Sequence, residues 1–257
     1  MTPAAFESSV AIFIQARMGS TRLPGKVLMP LAGRPVLDHV VSRVRASGVG
    51  NPVVVTTFSL LDLPIVSFCA EQGVRVFCGS ENDVLDRFWQ AAKLLEVEHV
   101  VRITADCPIL DPGVLRRVVE EHLQSGADYT SNVQVETFPD GLDVEVFRRS
   151  SLEKAWNEAT LSSEREHVTP YIRKNPASFI QRDVRNGEDL SGMRWTLDNH
   201  DDYAFLTALY SELRDCPVFG MDDILDVLRR KPDMVAINGG ILRNEGYAKS
   251  LREDTKG

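Results

Sequence analysis

Cysteine is sparse in this sequence: 257 residues hold four, Cys69, Cys78, Cys107 and Cys216. None forms a CxxC pair and none has zinc-ligand spacing, so a disulfide framework or a structural zinc site is excluded and reduced thiols are expected. No apolar run is long enough for a bilayer; the longest near the N-terminus, Val10–Ile14, falls far short. No basic segment precedes it, so no signal peptide is expected and the chain reads as cytoplasmic, with no membrane partner. Positive charge is in deficit, 29 Lys+Arg against 37 Asp+Glu for a net −8, which argues against a nucleic-acid-coating protein. Internal repeats and low-complexity linkers are missing too. What is there, 43% hydrophobic and 26% charged residues, is ordinary globular composition. That excludes a disordered chain or a fibre, and the length suits one large domain. We expect a single domain over residues 1–240 and a polar tail over 241–257 that ends loosely.

The first half alternates strand and helix patterns. Val10–Ala16, Pro52–Thr57, Val74–Phe77 and His99–Thr104 read as strands. Pro35–Ala46, Asp62–Glu71, Asp83–Leu95 and Pro112–Gln124 read as helices. Such alternation predicts an α/β fold, a mostly parallel sheet with helices on both faces and right-handed crossovers. Ligands of such sheets sit beyond the C-terminal ends of the strands. The second half is less regular: strands at Leu142–Phe147, Ser178–Val184 and Arg194–Leu197, and helices at Ser151–Thr160, Glu164–Lys174, Asp201–Leu213 and Met221–Arg230.

The densest chemical signal follows the first strand. Ala16, Arg17, Gly19, Ser20, Thr21, Arg22, Gly25 and Lys26 mix three cations with glycines and hydroxyls. Glycines let backbone N–H groups approach a phosphate, and hydroxyls and cations complete the cradle. The Rossmann GxGxxG is absent. A P-loop is also excluded, because five residues separate Gly19 from Gly25 and Val27 stands where Ser or Thr would be needed. The plain alternative is a solvated polar turn.

Carboxylates stand at two strand ends. Asp106 follows His99–Thr104, where it either turns the chain before Pro108 or holds a cation beside the phosphates. Asp198 follows Arg194–Leu197; it or Asn199 caps the next helix, or Asp198 joins Asp106 on a metal. Together with the cationic loop, the two suit Mg²⁺-assisted phosphoryl or nucleotidyl transfer. A third cluster, Asp140, Asp143 and Glu145, lies at the turn Pro139-Asp140-Gly141 and the strand after it, with Asp143 and Glu145 on one face of that strand, placed either to bond substrate hydroxyls or to form a solvated edge. Glu164-Arg165-Glu166-His167 lacks the second histidine of a zinc site, leaving His167 a hydrogen-bonding residue.

Ile14–Leu28 closely resembles the opening signature of the CMP-sugar-acid cytidylyltransferases, the acylneuraminate and 3-deoxy-manno-octulosonate enzymes. Gly79–Phe88, Val101–Pro108, Pro139–Phe147 and Arg165–Tyr171 resemble its spore-coat polysaccharide branch, departing at Ala105, commonly Gly there, and at the unusually apolar Thr57–Leu61. The resemblance implies a three-layer nucleotide-diphospho-sugar transferase fold. It implies a reaction in which CTP and a polar, acidic sugar acceptor give a CMP-sugar and pyrophosphate, for surface polysaccharide or glycoconjugate synthesis. By position, Arg17, Ser20, Arg22 and Lys26 would hold the triphosphate, and Asp106 and Asp198 Mg²⁺. Thr56, within Val55–Thr57, and Arg87, within Ser80–Arg87, would help form the base pocket. Asp140, Asp143 and Glu145, with His167, would face the acceptor. The family's arm, here around residues 130–185, implies a homodimer. Two other classes compete. A metal-dependent glycosyltransferase usually shows Asp-x-Asp, which this sequence lacks; a non-catalytic nucleotide-binding module would not need every charge of the first loop.

Overall fold

The computed structural model describes residues 9–216, 218–241 and 243–254. The N-terminal segment over which a signal peptide was excluded lies almost wholly outside them, as does the very end of the expected tail. Four strands form the parallel half of the main sheet: β1 (Val10–Gln15), β4 (Pro52–Thr57), β5 (Arg75–Gly79) and β6 (His99–Thr104). A small hairpin of β2 (Pro30–Leu31) and β3 (Arg34–Pro35) lies outside it. Strands β7 (Tyr129–Ser131), β8 (Glu145–Arg148) and β9 (Gln181–Asp183) complete seven strands in the order β5-β4-β1-β6-β8-β7-β9. Only β8 runs against the others, pairing antiparallel with both β6 and β7. The expected mostly parallel sheet is therefore the observed one.

Side-chain alternation along β1 decides which layer each residue joins. Ile12 and Ile14 enter one buried cluster with helices α1 (Val36–Ser47) and α4 (Pro112–Ser125). Ala11 and Phe13 enter the cluster on the opposite face, with α3 (Val84–Leu94). A strand apolar on both faces is what a sheet covered by helices on both sides requires. Helices α1 and α4 both end where the next residue, Gly48 or Gly126, takes the left-handed conformation that closes a helix cheaply. The remaining helices are α2 (Leu63–Glu71), α5 (Arg149–Glu158), α6 (Ser162–His167), α7 (Pro170–Lys174), α8 (His200–Glu212), α9 (Met221–Arg230) and α10 (Glu245–Asp254). Among the described residues no helix is long and apolar enough to cross a membrane.

Three expectations need correction. The single helix over Glu164–Lys174 is two, α6 and α7, because Val168 adopts φ +70° and Pro170 starts a new helix without an N–H to give. Arg194–Leu197 is not a strand; it contributes one bridge, Arg194 to Asp140. This bridge depends on Gly141, at φ +109°, where a Cβ would lie 2.7 Å from the Trp195 backbone. The tail is not loose over its described length: residues 245–254 form α10 and pack on α6.

A buried histidine relay links β6 to α4. His99 Nδ1 lies 3.0 Å from His122 Nε2, and His122 Nδ1 lies 3.0 Å from Thr130 Oγ1. Burial, with the neighbouring His99 and Arg148 charges, pushes His122 down from an ordinary 6.5 to about 3, and burial lowers His99 as well. In the unfolded chain these rings bind protons near 6.5, so stability is complete above that pH and falls as the pH drops toward about 3. We expect a loss of about 1.4 kcal/mol per pH unit from His122 alone between pH 6 and 4. Urea melts across that range check this; in His122→Asn the slope should shrink markedly, and an unchanged slope would refute the assignment.

Candidate active site

The chain runs from β1 out to β5 on one side and then returns to place β6 on the other side of β1. Loops leaving β1 and β6 in parallel therefore diverge at one sheet end, opening the crevice in which such folds bind ligands. A cavity of about 910 Å³ opens there, lined by Arg17, Ser20, Thr21, Arg22, Lys26 and Asp106 among others.

The loop after β1 is fixed by its own backbone. Gly25 N–H donates to the Met18 carbonyl, and Met18 N–H donates to Asp62 Oδ1 at 2.7 Å. Gly25 takes φ +72°, a conformation that strains any side chain, and Met18 lies 3.3 Å from where a Cβ would stand. That turn starts the short helical turn Lys26–Leu28 and directs the Lys26 side chain inward. Lys26 Nζ donates to Asp106 Oδ2 at 2.6 Å and to Asp198 Oδ1 at 2.8 Å. Two carboxylates 92 residues apart in sequence thus share one ammonium group.

Electrostatics follow the geometry. Burial by itself would raise the Asp106 pKa, but the Lys26 charge and hydrogen bond outweigh it and hold the carboxyl at about 2. The same pairs raise Lys26 despite its burial. Asp198 also meets Arg22 Nη2 at 3.1 Å and Arg194 Nη2 at 3.0 Å. It does not cap α8; Asn199 does, accepting from the N–H groups of Asp201 and Asp202. Arg22 in turn reaches Glu245 of α10 at 2.5 Å.

Arg87 lines the same cavity, almost wholly buried, with Nε donating to the Ser80 carbonyl at 2.9 Å and Nη1 left without a partner among the described residues. Burial and the Arg17 charge lower it to about 10. Thr56, expected beside the base, is fully buried and spends its hydroxyl on Asp62 at 3.1 Å, so it supports the loop rather than facing a ligand. Ala16 is buried under the loop.

A second cavity of about 510 Å³ adjoins the first, sharing Thr104 and His167. Asp143 and Glu145 both line it, as the period-two argument requires. Both are already engaged: Asp143 accepts from Arg243 Nη2 at 2.6 Å, and Glu145 accepts from Arg102 at 2.5 Å, Tyr129 at 2.7 Å and Thr169 at 2.6 Å. Asp140 borders neither cavity; it accepts from Arg194 Nη1 at 2.9 Å and so braces the site from behind. His167 Nε2 bonds Ser250 of α10 at 3.0 Å, and burial, helped by Arg102, lowers it to about 4, so it is neutral near pH 7.

Sequence reasoning passed over Arg165, which lines the first cavity and donates to Asp83 at 2.5 Å, and over the whole contribution of α10. Arg165 was visible in a rejected zinc pattern and at the head of the Arg165–Tyr171 stretch that carried the resemblance, but with no role attached to it, and α10 lay in the segment read as a polar tail.

Among the described residues no group of three or more His, Cys, Asp and Glu side chains is placed to hold a metal. The Asp106–Asp198 pair supplies two hard oxygen donors. That fits Mg²⁺, which takes one or two carboxylates and completes its shell with phosphate oxygens and water.

A cytidylyltransferase family profile matches residues 11–218. The chain belongs to the cytidylyltransferase family. It is 36% identical over 239 residues to the spore coat polysaccharide biosynthesis protein of Bacillus subtilis (strain 168), covering 88% of this chain and 96% of that protein. A cytidylyltransferase structure from Leptospira borgpetersenii superposes with TM-score 0.84 at 35% identity, covering 89% of this chain and 97% of that one. The structure of a CMP:2-keto-3-deoxy-manno-octonic acid synthetase complexed with CTP superposes with TM-score 0.60 at 17% identity over 80% of this chain and 99% of that one. That likeness is one of fold, the nucleotide-diphospho-sugar transferase fold expected from the sequence.

Proposed function

We propose that this cytidylyltransferase moves CMP from CTP to a hydroxyl of a polar, acidic sugar acceptor, releasing pyrophosphate, in the synthesis of a surface polysaccharide or glycoconjugate. The observation that carries the reading is the meeting of the cationic loop with Asp106 and Asp198 around Lys26, at the sheet's switch point. CTP occupies the larger cavity, with Arg17, Ser20 and Arg22 on its phosphates and Arg87 near its base; the acceptor occupies the smaller, beside Asp143, Glu145 and His167. The acceptor hydroxyl attacks the α-phosphorus in line and gives up its proton to solvent, the bond to the β-phosphate oxygen breaks, and Arg17 and Arg22 take up the charge growing on the pyrophosphate. Asp106 and Asp198 would hold Mg²⁺, which supplies charge neutralisation on phosphate oxygens when bound. Positioning and electrostatics account for most of the acceleration in such transfers.

The test is thermal stabilisation with CTP, ATP, GTP and UTP, each with Mg²⁺, followed by pyrophosphate release over a panel of sugar acids. CTP should raise the melting temperature most, in step with its occupancy. A shift confined to another nucleotide, or binding without pyrophosphate release over any acceptor, would defeat the proposal.

Glu245→Gln releases Arg22 from a half-exposed pair at the cavity mouth. Such a pair is worth about 0–1 kcal/mol of stability, so the melting temperature should hardly move. With Arg22 then held by Asp198 alone and more readily turned to an anionic ligand, the KM for CTP should fall by about two- to threefold. A rise in KM would mean that Glu245 holds Arg22 in its working position instead.

A further inference from the structure

Lys26 occupies the gap between the two carboxylates that the proposed function gives to a metal ion. Its Nζ is 2.6 Å from Asp106 Oδ2 and 2.8 Å from Asp198 Oδ1, and the residue is 8% exposed. A cation joining both carboxylates at a magnesium–oxygen distance of about 2.1 Å has to enter that same gap. It cannot do so beside an ammonium group, because the two would overlap and repel.

We infer that Lys26 is a resident counter-ion that the divalent cation must displace, and that the phosphates of the incoming nucleotide give the displaced ammonium its new partner. The inference rests on the metal reading above and adds an order to it: metal entry and the swing of Lys26 are one event. Three features support it. The loop backbone that carries Lys26 is held by Gly25 and Asp62, so the side chain can swing while its anchor stays. Without Lys26 the two carboxylates would face each other with Arg22 and Arg194 on Asp198 alone, so the lysine is what neutralises Asp106 before any ligand arrives. Arg17 lines the same cavity and makes no hydrogen bond or ion pair to a carboxylate among the described residues, which leaves a cation to receive the phosphates first. The device keeps the paired acids from binding divalent cations unproductively when no nucleotide is present, and makes nucleotide and metal help each other to bind.

The probe is Mn²⁺, titrated into the full chain without nucleotide and followed by electron paramagnetic resonance of the free ion. The wild type should bind Mn²⁺ weakly by itself. Lys26→Gln, which replaces the ammonium by a neutral amide with two N–H donors on a stem one atom shorter, should bind it at least about tenfold more tightly, the scale of one close charge pair. Lys26→Met should do the same, and both variants are checked by thermal unfolding, so that a folding failure in one leaves the other to decide. Asp106→Asn and Asp198→Asn should lose Mn²⁺ binding and so leave the free-ion signal undiminished. If the lysine variants bind Mn²⁺ no more tightly than wild type while the aspartate variants lose it, the metal site stands and the displacement idea is wrong. If no form binds Mn²⁺, with CTP or without, the metal reading fails and the displacement idea falls with it.

Discussion

Asp106→Asn should lower kcat by about a thousandfold and leave the protein folded. Under the proposed function the carboxylate would help to hold the cation that neutralises the phosphates, and losing such preorganised electrostatic stabilisation costs about a hundred- to a thousandfold. The fold survives for local reasons. Asparagine keeps the size of the side chain, and the structural work at this position is done by the main chain: the Asp106 carbonyl accepts from Leu197 N–H at 2.8 Å and from Thr196 Oγ1 at 3.3 Å. The stability cost comes from the ion pair. The carboxyl is held at about 2 in the folded protein, so its stabilisation is present above the unfolded value near 3.8 and is lost as pH falls through about 2. Removing it costs about 1–2 kcal/mol near pH 7, softened because Lys26 keeps Asp198. Pyrophosphate release measures the first effect, and chemical denaturation the second. Near-normal turnover in Asp106→Asn would end the assignment.

Arg194→Met should destabilise the protein by about 3–5 kcal/mol, the usual effect of stripping one partner from a buried charge network. Arg194 Nε and Nη2 donate to the two oxygens of Asp202 at 2.8 and 2.9 Å, Nη2 also donates to Asp198, and Nη1 donates to Asp140. Its side chain is 5% exposed and that of Asp202 is 0% exposed, so water cannot replace what the arginine gives. Asp202 would keep hydrogen bonds from Asp198 N–H, Asn199 N–H and Asn238 Nδ2, but not the charge they are arranged around. For a domain of this size the loss corresponds to a fall in melting temperature of roughly 10 °C. Urea denaturation should show a lower midpoint with an unchanged slope. A loss below about 1 kcal/mol would mean that water takes the arginine's place in the cluster.

The chemistry-bearing residues of the first half were legible because local rules governed them. The loop after β1 had to hold its cations near the strand end, and Asp106 had to follow β6, once the βα alternation was read. The second half was harder. Arg194 lay in an expected strand, yet its value to the fold is the charge network it makes with Asp140, Asp198 and Asp202. Asp143 and Glu145 shared a face as expected, but nothing local disclosed that Arg243, Arg102, Tyr129 and Thr169 would engage them. Thr56 was placed near a base by resemblance, while the pull of Asp62 on its hydroxyl is visible only in three dimensions.

Sequence alone determined the α/β class, the strands and helices of the parallel half, and the kind of ligand suited to the first loop. Each of these depends on neighbours within a few residues or on a period of two or 3.6, which a linear pattern carries. Tertiary structure alone decided that Lys26 sits between Asp106 and Asp198, that Asp140 supports rather than lines the site, and that residues 245–254 wall both cavities. Those outcomes depend on pairs 80, 172 and more than 200 residues apart, Arg22 with Glu245 being 223 apart. Coulomb attraction and burial act on distance in space, and only the closed fold sets that distance.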